Sequence, residues 1–512
     1  MRIKKQVMRH ALLNAAAGIL IALASGGVRA DAFDELMQTL KNKGALSEDE
    51  FKRISAVREA EKKSAVAAPA PAGNEAESRP AFAAREPEKK PASEPAVPAG
   101  SADAVTGNFK DAIVYSSADG RNTLQVTGRI QADYRAYTNP GDNSTFEMRR
   151  VYLGAKGKFW NDFRYSVSAH LNDVGANGGN GALEEAWFEL AHYKQAVLRF
   201  GQFYTPFSLE DGNSSKHIDF MERAAIVNQS QSANDSIDKG VMLYGEPAAG
   251  FYYWGAYTNG SSLNTVNLNT AGGKETTVRG VVDFARVFGQ RDAVYHLGFS
   301  YGNANKPRDL SGGAEIGSIR TEGRSSNFRP LRITGIDNNY ERKRKDLELA
   351  AAYGPFKVQS EFISEDYSGT TLAGIGYDKA VRGRYGNLMW LITGESYADS
   401  YSAGFFGNIR PRQNFEFGGG GWGAWEVGLR YSILDTGDLG TAAPAGVLVN
   451  APGFSTGMKE TTLGLKWIMN PNTRFLFNYV RSKYDQATAG GVVGLAPRSL
   501  DNTYMMRGQF DF

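Results

Sequence analysis

The stretch TLQVTGRIQADYRAY, residues 123–137, alternates apolar and polar side chains with a period of two. Leu124, Ile130 and Tyr134 fall on one side of an extended strand, and Arg129 and Arg135 fall on the other. FRYSVSAHL (163–171), WEVGLRYSI (425–433) and YMMRGQFDF (504–512) repeat the pattern. Alternation also occurs in soluble β-sandwiches, so the lengths of the connections have to separate the two classes.

The connections alternate between short and long. From about residue 121 to the end, the pattern predicts about 16 strands. Most even-to-odd connections are tight turns, such as HYK, PAAG, GP and NPN, with 396–421 as the exception. The odd-to-even connections are long: 174–181, 204–236, 259–274, 303–344, 368–383, 436–457 and 486–499. This asymmetry is typical of bacterial outer-membrane barrels, so we predict an all-β, transmembrane antiparallel β-barrel.

The N-terminus and the composition agree with export. Residues 1–30 combine a basic start with a short apolar core, which predicts a secretory signal peptide. Without it the chain holds 53 Lys and Arg against 55 Asp and Glu, so net charge gives no argument for nucleic acid. The chain has no Cys, which excludes disulfides and a Cys-anchored lipoprotein. No segment offers 18 consecutive apolar residues for a membrane-spanning helix.

Two further segments precede the predicted barrel at 107–512. Residues 31–64 have amphipathic helical patterns, with Phe33, Leu36, Met37 and Leu40 on one face. We expect this helical segment in the periplasm, where it would form an oligomer or dock on peptidoglycan or a protein partner. Residues 65–106 are rich in Ala, Pro, Glu and Lys, which indicates a disordered linker.

Positive charge is enriched on the face that the alternation turns toward the lumen. The predicted inward cations are Arg129, Arg135, Arg150, Lys156, Lys158, Arg164, Arg199, Arg430, Lys466 and Arg507. Six acids accompany these ten cations, and a low-dielectric wall focuses such an excess into anion selectivity. The alternative is a general porin whose charges pair across the lumen. The run Arg342-Lys343-Arg344-Lys345 is expected at the outer mouth, where it would attract anions or contact lipopolysaccharide phosphates.

Four ordered blocks resemble the phosphate-selective porin O and P family. They are MRRVYLGAKGKFWNDFRYSV, LRFGQFYTPFSLEDGNSSKHIDFMER, LITGESYADSY and WEVGLRYSILDTGD, and the resemblance spans roughly 121–512. It implies a 16-stranded barrel assembled as a homotrimer, with the third outer loop, 204–236, folded into the lumen. It also implies an anion site formed by Arg149, Arg150, Ser214, Ser215 and Arg223.

Two positions depart from what the resemblance implies. Asp211 stands where a loop lysine is expected before the serines, although Lys216 follows them. Simple alternation points Arg149 outward when Arg150 points inward, so both reach the lumen only with a β-bulge or a rim position.

The sequence therefore predicts a passive outer-membrane channel for small anions, with inorganic phosphate or polyphosphate as the solute. The alternatives are a general diffusion porin and an envelope tether that uses the N-terminal helices. An enzyme is not expected: Ser214, His217 and Asp219 lie within six residues without the strand–turn–helix context of a hydrolase. GGGGWG at 418–423 has no dinucleotide-binding context, and the His residues show no metal spacing, so no cofactor is expected.

Overall fold

The computed structural model describes residues 105–108, 112–138, 142–171, 182–230, 237–260, 272–305, 314–316, 319–326, 328, 333–336, 340–372, 374–440, 454–488 and 497–512. The predicted signal peptide, the helical segment 31–64 and residues 65–104 of the predicted linker 65–106 lie outside these residues, whereas Val105 and Thr106 at the end of that linker are described and belong to a short strand. Within the described ranges, no helix has the length and apolar character needed to cross a membrane.

Sixteen antiparallel strands form a closed barrel, as the alternation and the loop lengths predict. The strands are β1 (Thr123–Tyr137), β2 (Thr145–Phe159), β3 (Phe163–His170), β4 (Ala182–Tyr193), β5 (Ala196–Tyr204), β6 (Ile237–Ala248), β7 (Phe251–Thr258), β8 (Lys274–Asp283), β9 (Ala293–Asn305), β10 (Glu341–Tyr353), β11 (Phe356–Thr370), β12 (Gly376–Leu391), β13 (Ala424–Asp435), β14 (Gly457–Asn470), β15 (Thr473–Thr488) and β16 (Arg498–Asp511). Each pairs with the next, and β16 pairs with β1.

The closure of the barrel uses the last residue of the chain. Gly128 and Phe512 exchange backbone hydrogen bonds of 2.9 and 3.1 Å. A Cβ on Gly128 would lie 2.2 Å from the Phe512 ring, so a larger residue at this position would require that ring to move. A short hairpin of Val105–Asn108 and Ile113–Ser117 pairs with the beginning of β1.

The two faces of the strands have opposite polarity. Leu153, Phe188 and Leu463 are at least half exposed on the outside, where their apolar surface suits lipid. Gln131, Asp133 and other polar residues on the opposite parity are buried in the interior. Alternation thus places an apolar surface outside and a polar, charged surface inside.

The connection after β5 enters the barrel, as the family resemblance implies for 204–236. It contains the short helices Leu209–Gly212 and Ala225–Ser230, and residues 231–236 lie outside the described ranges. Its helices and turns contact the lumen faces of β11, β12 and β13 as well as those of β1, β2 and β16. We call residues 205–230 the inserted loop.

Side chains of the wall satisfy the backbone of the inserted loop. Arg507 donates to the Met221 carbonyl at 2.7 Å, and Arg430 donates to the Glu222 carbonyl at 3.0 Å. Arg474 and Gln509 both donate to the Lys216 carbonyl, at 3.2 and 3.0 Å. Irregular backbone at membrane depth is stable only where protein or water supplies such partners.

The long even-to-odd connection between β12 and β13 also folds inward. Tyr397, Phe405, Phe406 and Ile409 are buried in one apolar cluster with Leu209 of the inserted loop. The Phe406 amide donates to the Asn213 side-chain oxygen at 3.1 Å. Residues 392–423, called the inner segment, therefore meet the inserted loop inside the barrel.

The basic run Arg342-Lys343-Arg344-Lys345 departs from its predicted place in an outer loop. β10 begins at Glu341, so the loop prediction was wrong for Arg342, Lys343 and Arg344, and the strand predicted from residue 345 begins four residues earlier. Arg342 and Arg344 are buried in the interior and form ion pairs with Glu275. The alternation of residues 341–344 was not recognised because these residues are highly charged and follow a long loop.

Candidate anion pathway

An open cavity lies inside the barrel toward the end that carries the short turns. Its volume is about 210 Å³, and its wall includes residues of β1, β2 and β4, the inserted loop and the inner segment. The charged side chains that line it are Arg129, Lys156, Lys216, Arg223, Arg410, Glu184, Glu185, Asp211 and Asp511. The numbers of positive and negative side chains are nearly equal. Whether the cavity favours anions or cations therefore depends on which of these side chains are paired with oppositely charged or hydrogen-bonding residues.

Arg129 joins the wall to the serines of the inserted loop. Its Nη1 donates to Ser215 Oγ at 2.5 Å, and its Nη2 donates to Ser214 Oγ at 3.3 Å. The guanidinium also lies 4.8 Å from the centre of the Tyr152 ring, a cation–π distance. Among the described residues, no carboxylate lies within ion-pair distance of Arg129. A guanidinium without a counter-ion thus lies beside two hydroxyl groups.

Lys216 follows the two serines and adds a second cation to the cavity. Its ammonium donates to the Gly128 carbonyl at 3.4 Å. Burial lowers the pKa of Lys216 to about 7; Asp511 opposes this effect, while Arg129 and Lys156 add to it by repulsion. The neighbouring His217 has a pKa well below its usual value because it is buried and lies near Arg474.

The acids of the cavity are engaged by other groups. Asp211 forms a 3.3 Å ion pair with Arg223, and Asp511 lies 3.8 Å from Arg474. Glu184 accepts a hydrogen bond from the Tyr204 hydroxyl, and Glu185 accepts one from the Trp187 indole. These contacts reduce the repulsion that the carboxylates would exert on an anion.

Arg149 occupies a β-bulge, which is the feature that lets both members of the arginine pair reach the interior. Gln131 of β1 pairs with Arg150, and the next residue, Ala132, pairs with Met148, so Arg149 is the extra residue of β2. Arg149 donates to Glu222 of the inserted loop at 2.8 and 3.2 Å. Arg150 donates to the Gln131 side chain at 2.9 Å.

The five residues implied by the family resemblance fall into separate groups. Ser214, Ser215 and Arg223 line the cavity, whereas Arg149 and Arg150 are not among its lining residues. Arg223 also donates to the carbonyls of Glu210, Asp211 and Asn213, at 3.1–3.2 Å, and thereby shapes its own loop. Arg150 is linked to the serines indirectly, because Gln131 donates to the Ser215 carbonyl at 3.2 Å.

Most of the other predicted pore-lining cations are ion-paired inside the barrel. Arg135 and Arg507 contact Asp133 and Glu222. The remaining pairs are Arg164 and Arg199 with Glu189, Arg430 with Glu210 and Glu322, and Lys466 with Glu426. Lys156 lines the cavity, and Lys158 is half-buried near the end of β2.

The sequence reasoning missed several interior charges. Arg279, Lys357 and Arg474 face inward and contact Glu348, Asp219 and the inserted loop, respectively. All three lie on predicted strands, so extending the inward parity to β8, β11 and β15 would have found them. Glu222, which accepts hydrogen bonds from Arg135, Arg149 and Arg507, had no signal beyond its place in the loop.

Comparison with known proteins identifies the family. The family described as phosphate-selective porin O and P matches residues 124–512. The chain belongs to that family. A curated relative named Porin O, from Pseudomonas aeruginosa, is 26% identical over 401 residues, which cover 74% of this chain and 87% of the relative. Family and fold together indicate a channel of the bacterial outer membrane rather than an enzyme.

The solved structures that resemble this chain are more distant in sequence. An anion-selective porin from Comamonas acidovorans is 11% identical, with a TM-score of 0.45, and the match covers 76% of this chain and all of that one. OmpT, an outer membrane protein of Vibrio cholerae, is 10% identical, with a TM-score of 0.46, and the match covers 77% of this chain and 98% of that one.

Proposed function

We infer that this porin is a passive channel for small anions and that inorganic phosphate or polyphosphate is its preferred solute. The observation that carries the proposal is the Arg129 guanidinium, which contacts the hydroxyls of Ser214 and Ser215 on the cavity wall and has no ion-paired carboxylate among the described residues. The name of the matched family points to the same solute.

The chemistry of this grouping suits a phosphate oxyanion. A guanidinium presents several donors in a rigid fork that matches phosphate geometry. Ser214 and Ser215 accept from Arg129, and each hydroxyl keeps its own O–H to donate to a solute. Lys216 would supply a further cation from the same loop. A partly dehydrated phosphate needs such donors on several sides.

Asp211 does not oppose this proposal, although a lysine is implied at its position. Its carboxylate is ion-paired with Arg223, so part of its charge is compensated within the loop. We propose that Arg223 holds the loop in the shape that presents Ser214 and Ser215, while Arg149 and Arg150 support the loop from β2. In this arrangement Arg129 is the arginine that contacts the anion directly.

A phosphate titration tests the proposal. The full-length porin is inserted in a planar bilayer in KCl, and chloride conductance is measured while phosphate is added. We expect anion selectivity and a saturable block by phosphate, which Arg129→Ala weakens at least tenfold. Arg121→Ala, an exposed arginine outside the cavity, is the matched control and should leave the block unchanged. Cation selectivity without any block would refute the proposal.

A general diffusion porin is the second candidate, because so many interior charges are paired. Arg135, Arg430 and Arg507 all contact carboxylates, which lowers the field that an anion would experience. The two candidates differ in saturation: a general porin would conduct phosphate in proportion to its concentration and show no block of chloride current.

The proposal also covers the oligomeric state of the porin and the location of its N-terminal region. We propose a homotrimer in the outer membrane, with the short-turn end and residues 31–106 in the periplasm. Deletion of 31–106 tests the tether alternative. If conductance and trimers on native gels survive while the envelope weakens, the segment is an envelope tether; if trimers are lost, it is an assembly element.

A further inference from the structure

Three carboxylates meet on the interior faces of two neighbouring strands, on the side of the barrel where the inserted loop begins. Asp346 and Glu348 lie on β10, and Glu361 lies on β11 opposite Glu348. One oxygen of each residue lies within 4.8 Å of an oxygen of the other two. All three side chains are buried, with at most 1% of their surface exposed.

Two of the three carboxylates have a full set of protein donors. Glu348 accepts from the Arg279 guanidinium at 2.8 and 2.6 Å, and from Ser300 at 2.8 Å. Glu361 accepts from the backbone amides of Leu209 and Glu210, at 2.7 and 3.0 Å. Glu361 thereby caps the first helical turn of the inserted loop, and its place beside the other acids is fixed.

Asp346 has no such donors. Within the described residues, neither of its carboxylate oxygens has a hydrogen-bond partner, although the side chain is only 1% exposed. A buried, charged carboxylate without a partner is strongly unfavourable. The oxygens of Asp346 lie close to those of Glu348 and Glu361, so the three carboxylates repel one another. A cation bound between them would remove this repulsion.

An unpartnered neutral oxygen lies near Glu361. Gln359, two residues before Glu361 on the same face of β11, is 3% exposed, and its Oε1 has no partner among the described residues. Its amide nitrogen donates to the Tyr385 hydroxyl, which itself donates to Glu361. Tyr385 thus links the Gln359 amide to Glu361, whereas Asp346 pairs with Ile363 on the other side of Glu361.

The charge count points to a divalent ion. Arg279 is the one Lys or Arg within ion-pair distance of the three carboxylates in the described part of the chain, and it is committed to Glu348. The three carboxylates and the Arg279 guanidinium have a net charge of about −2, without counting His296, which lies 3.1 Å from Glu348. One divalent cation would neutralise it.

We propose that Asp346, Glu348 and Glu361 bind one calcium-type divalent cation. Oxygen ligands bind Ca²⁺ at about 2.3–2.6 Å, so two ligands of one ion lie at most about 5 Å apart, as these oxygens do. Ca²⁺ also tolerates irregular ligand geometry, which suits carboxylates fixed by other contacts. Through Glu361 the ion fixes the start of the inserted loop to the wall. This site is separate from the proposed anion cavity.

A binding measurement with a matched pair of variants tests the site. The full-length chain is refolded in detergent without lipopolysaccharide, stripped with a chelator and dialysed against Ca²⁺, and bound calcium is measured by mass spectrometry. We expect one more calcium ion per chain in the wild type than in Asp346→Asn, and a melting temperature that rises with Ca²⁺ only in the wild type. Asp366→Asn, on the outer face of β11 beside Lys345, is the control and should match the wild type.

Terbium luminescence tests for the ion site in the wild type alone, so the result does not depend on whether the Asp346→Asn variant folds. Tyr385 contacts Glu361, so Tb³⁺ bound at the site should emit when tyrosine is excited, and Ca²⁺ should quench this emission by displacement. Equal calcium in the wild type and Asp346→Asn, or no sensitised emission from the wild type, would overturn the proposal. A proton shared between Asp346 and Glu361 would give both results.

Discussion

Arg149 donates two hydrogen bonds to Glu222, at 2.8 Å from Nε and 3.2 Å from Nη2. This contact joins a bulged residue of the barrel wall to the inserted loop. Arg135 and Arg507 also donate to Glu222, at 3.1 and 3.3 Å. One carboxylate therefore gathers three arginines and holds one side of the loop against the wall.

Glu222→Gln should loosen the loop and increase the positive charge of the interior. Removing one partner from a buried ion pair typically costs about 3–5 kcal/mol, because the other partner is left buried and uncompensated. We expect a lower midpoint of urea unfolding, noisier single-channel current and stronger anion selectivity. Glu341→Gln, which removes an exposed pair with Lys343, should change none of these. Wild-type stability and current in Glu222→Gln would contradict this role of Glu222.

Ser214→Ala and Ser215→Ala should weaken phosphate block with little change in chloride conductance. A hydrogen bond to a charged group contributes about 1.5–3 kcal/mol, so each change should raise the half-blocking phosphate concentration roughly tenfold or more. The measurement is the chloride current as phosphate is added. Ser326→Ala, an exposed serine bonded to Asp142, is the control. If the double variant is blocked like the wild type, the serines do not contact phosphate.

Phe405→Ala should open the barrel between the inserted loop and the inner segment. Phe405 is fully buried, and its ring leaves no room for a Cβ on Gly212. Truncating a buried Phe typically costs about 3–5 kcal/mol. We expect a larger single-channel conductance and a lower melting temperature. Phe417→Ala, at a phenylalanine that is 91% exposed, should have neither effect. An unchanged conductance in Phe405→Ala would mean that the inner segment does not narrow the path.

Anion selectivity should fall as the pH rises through about 7. The pKa of Lys216 is lowered to about 7, so its ammonium is charged below that pH and neutral above it. The cavity therefore loses one positive charge between about pH 6 and pH 8. The measurement is the ratio of chloride to potassium permeability across this range. Lys216→Arg keeps its charge and should give a flat profile; a wild-type profile that is equally flat would show that Lys216 does not titrate there.

The barrel could be predicted from the sequence because its two signals are local. Alternation such as that of 123–137 shows which side chains of a strand face lipid and which face the interior. The length of a connection shows at which end of the barrel that connection lies. The entry of the inserted loop into the lumen came from the family resemblance, not from local pattern. β10 was placed four residues too late because charges at Arg342 and Arg344 face the interior and resemble a loop.

The contacts of the candidate site could not be predicted in the same way. Arg129 and Ser215 are 86 residues apart in the chain and meet only through the path of the inserted loop. The bulge at Arg149 depends on the register between β1 and β2, which alternation alone does not give. The pairing of Asp211 with Arg223 likewise depends on how the loop turns back on itself.

The central claim, that the barrel conducts anions, is tested most directly by the reversal potential in a KCl gradient across a planar bilayer. We expect a reversal potential close to the chloride equilibrium potential for the wild type, shifted toward zero in Arg129→Ala. A wild-type reversal potential on the potassium side of zero would show that the barrel is not an anion channel.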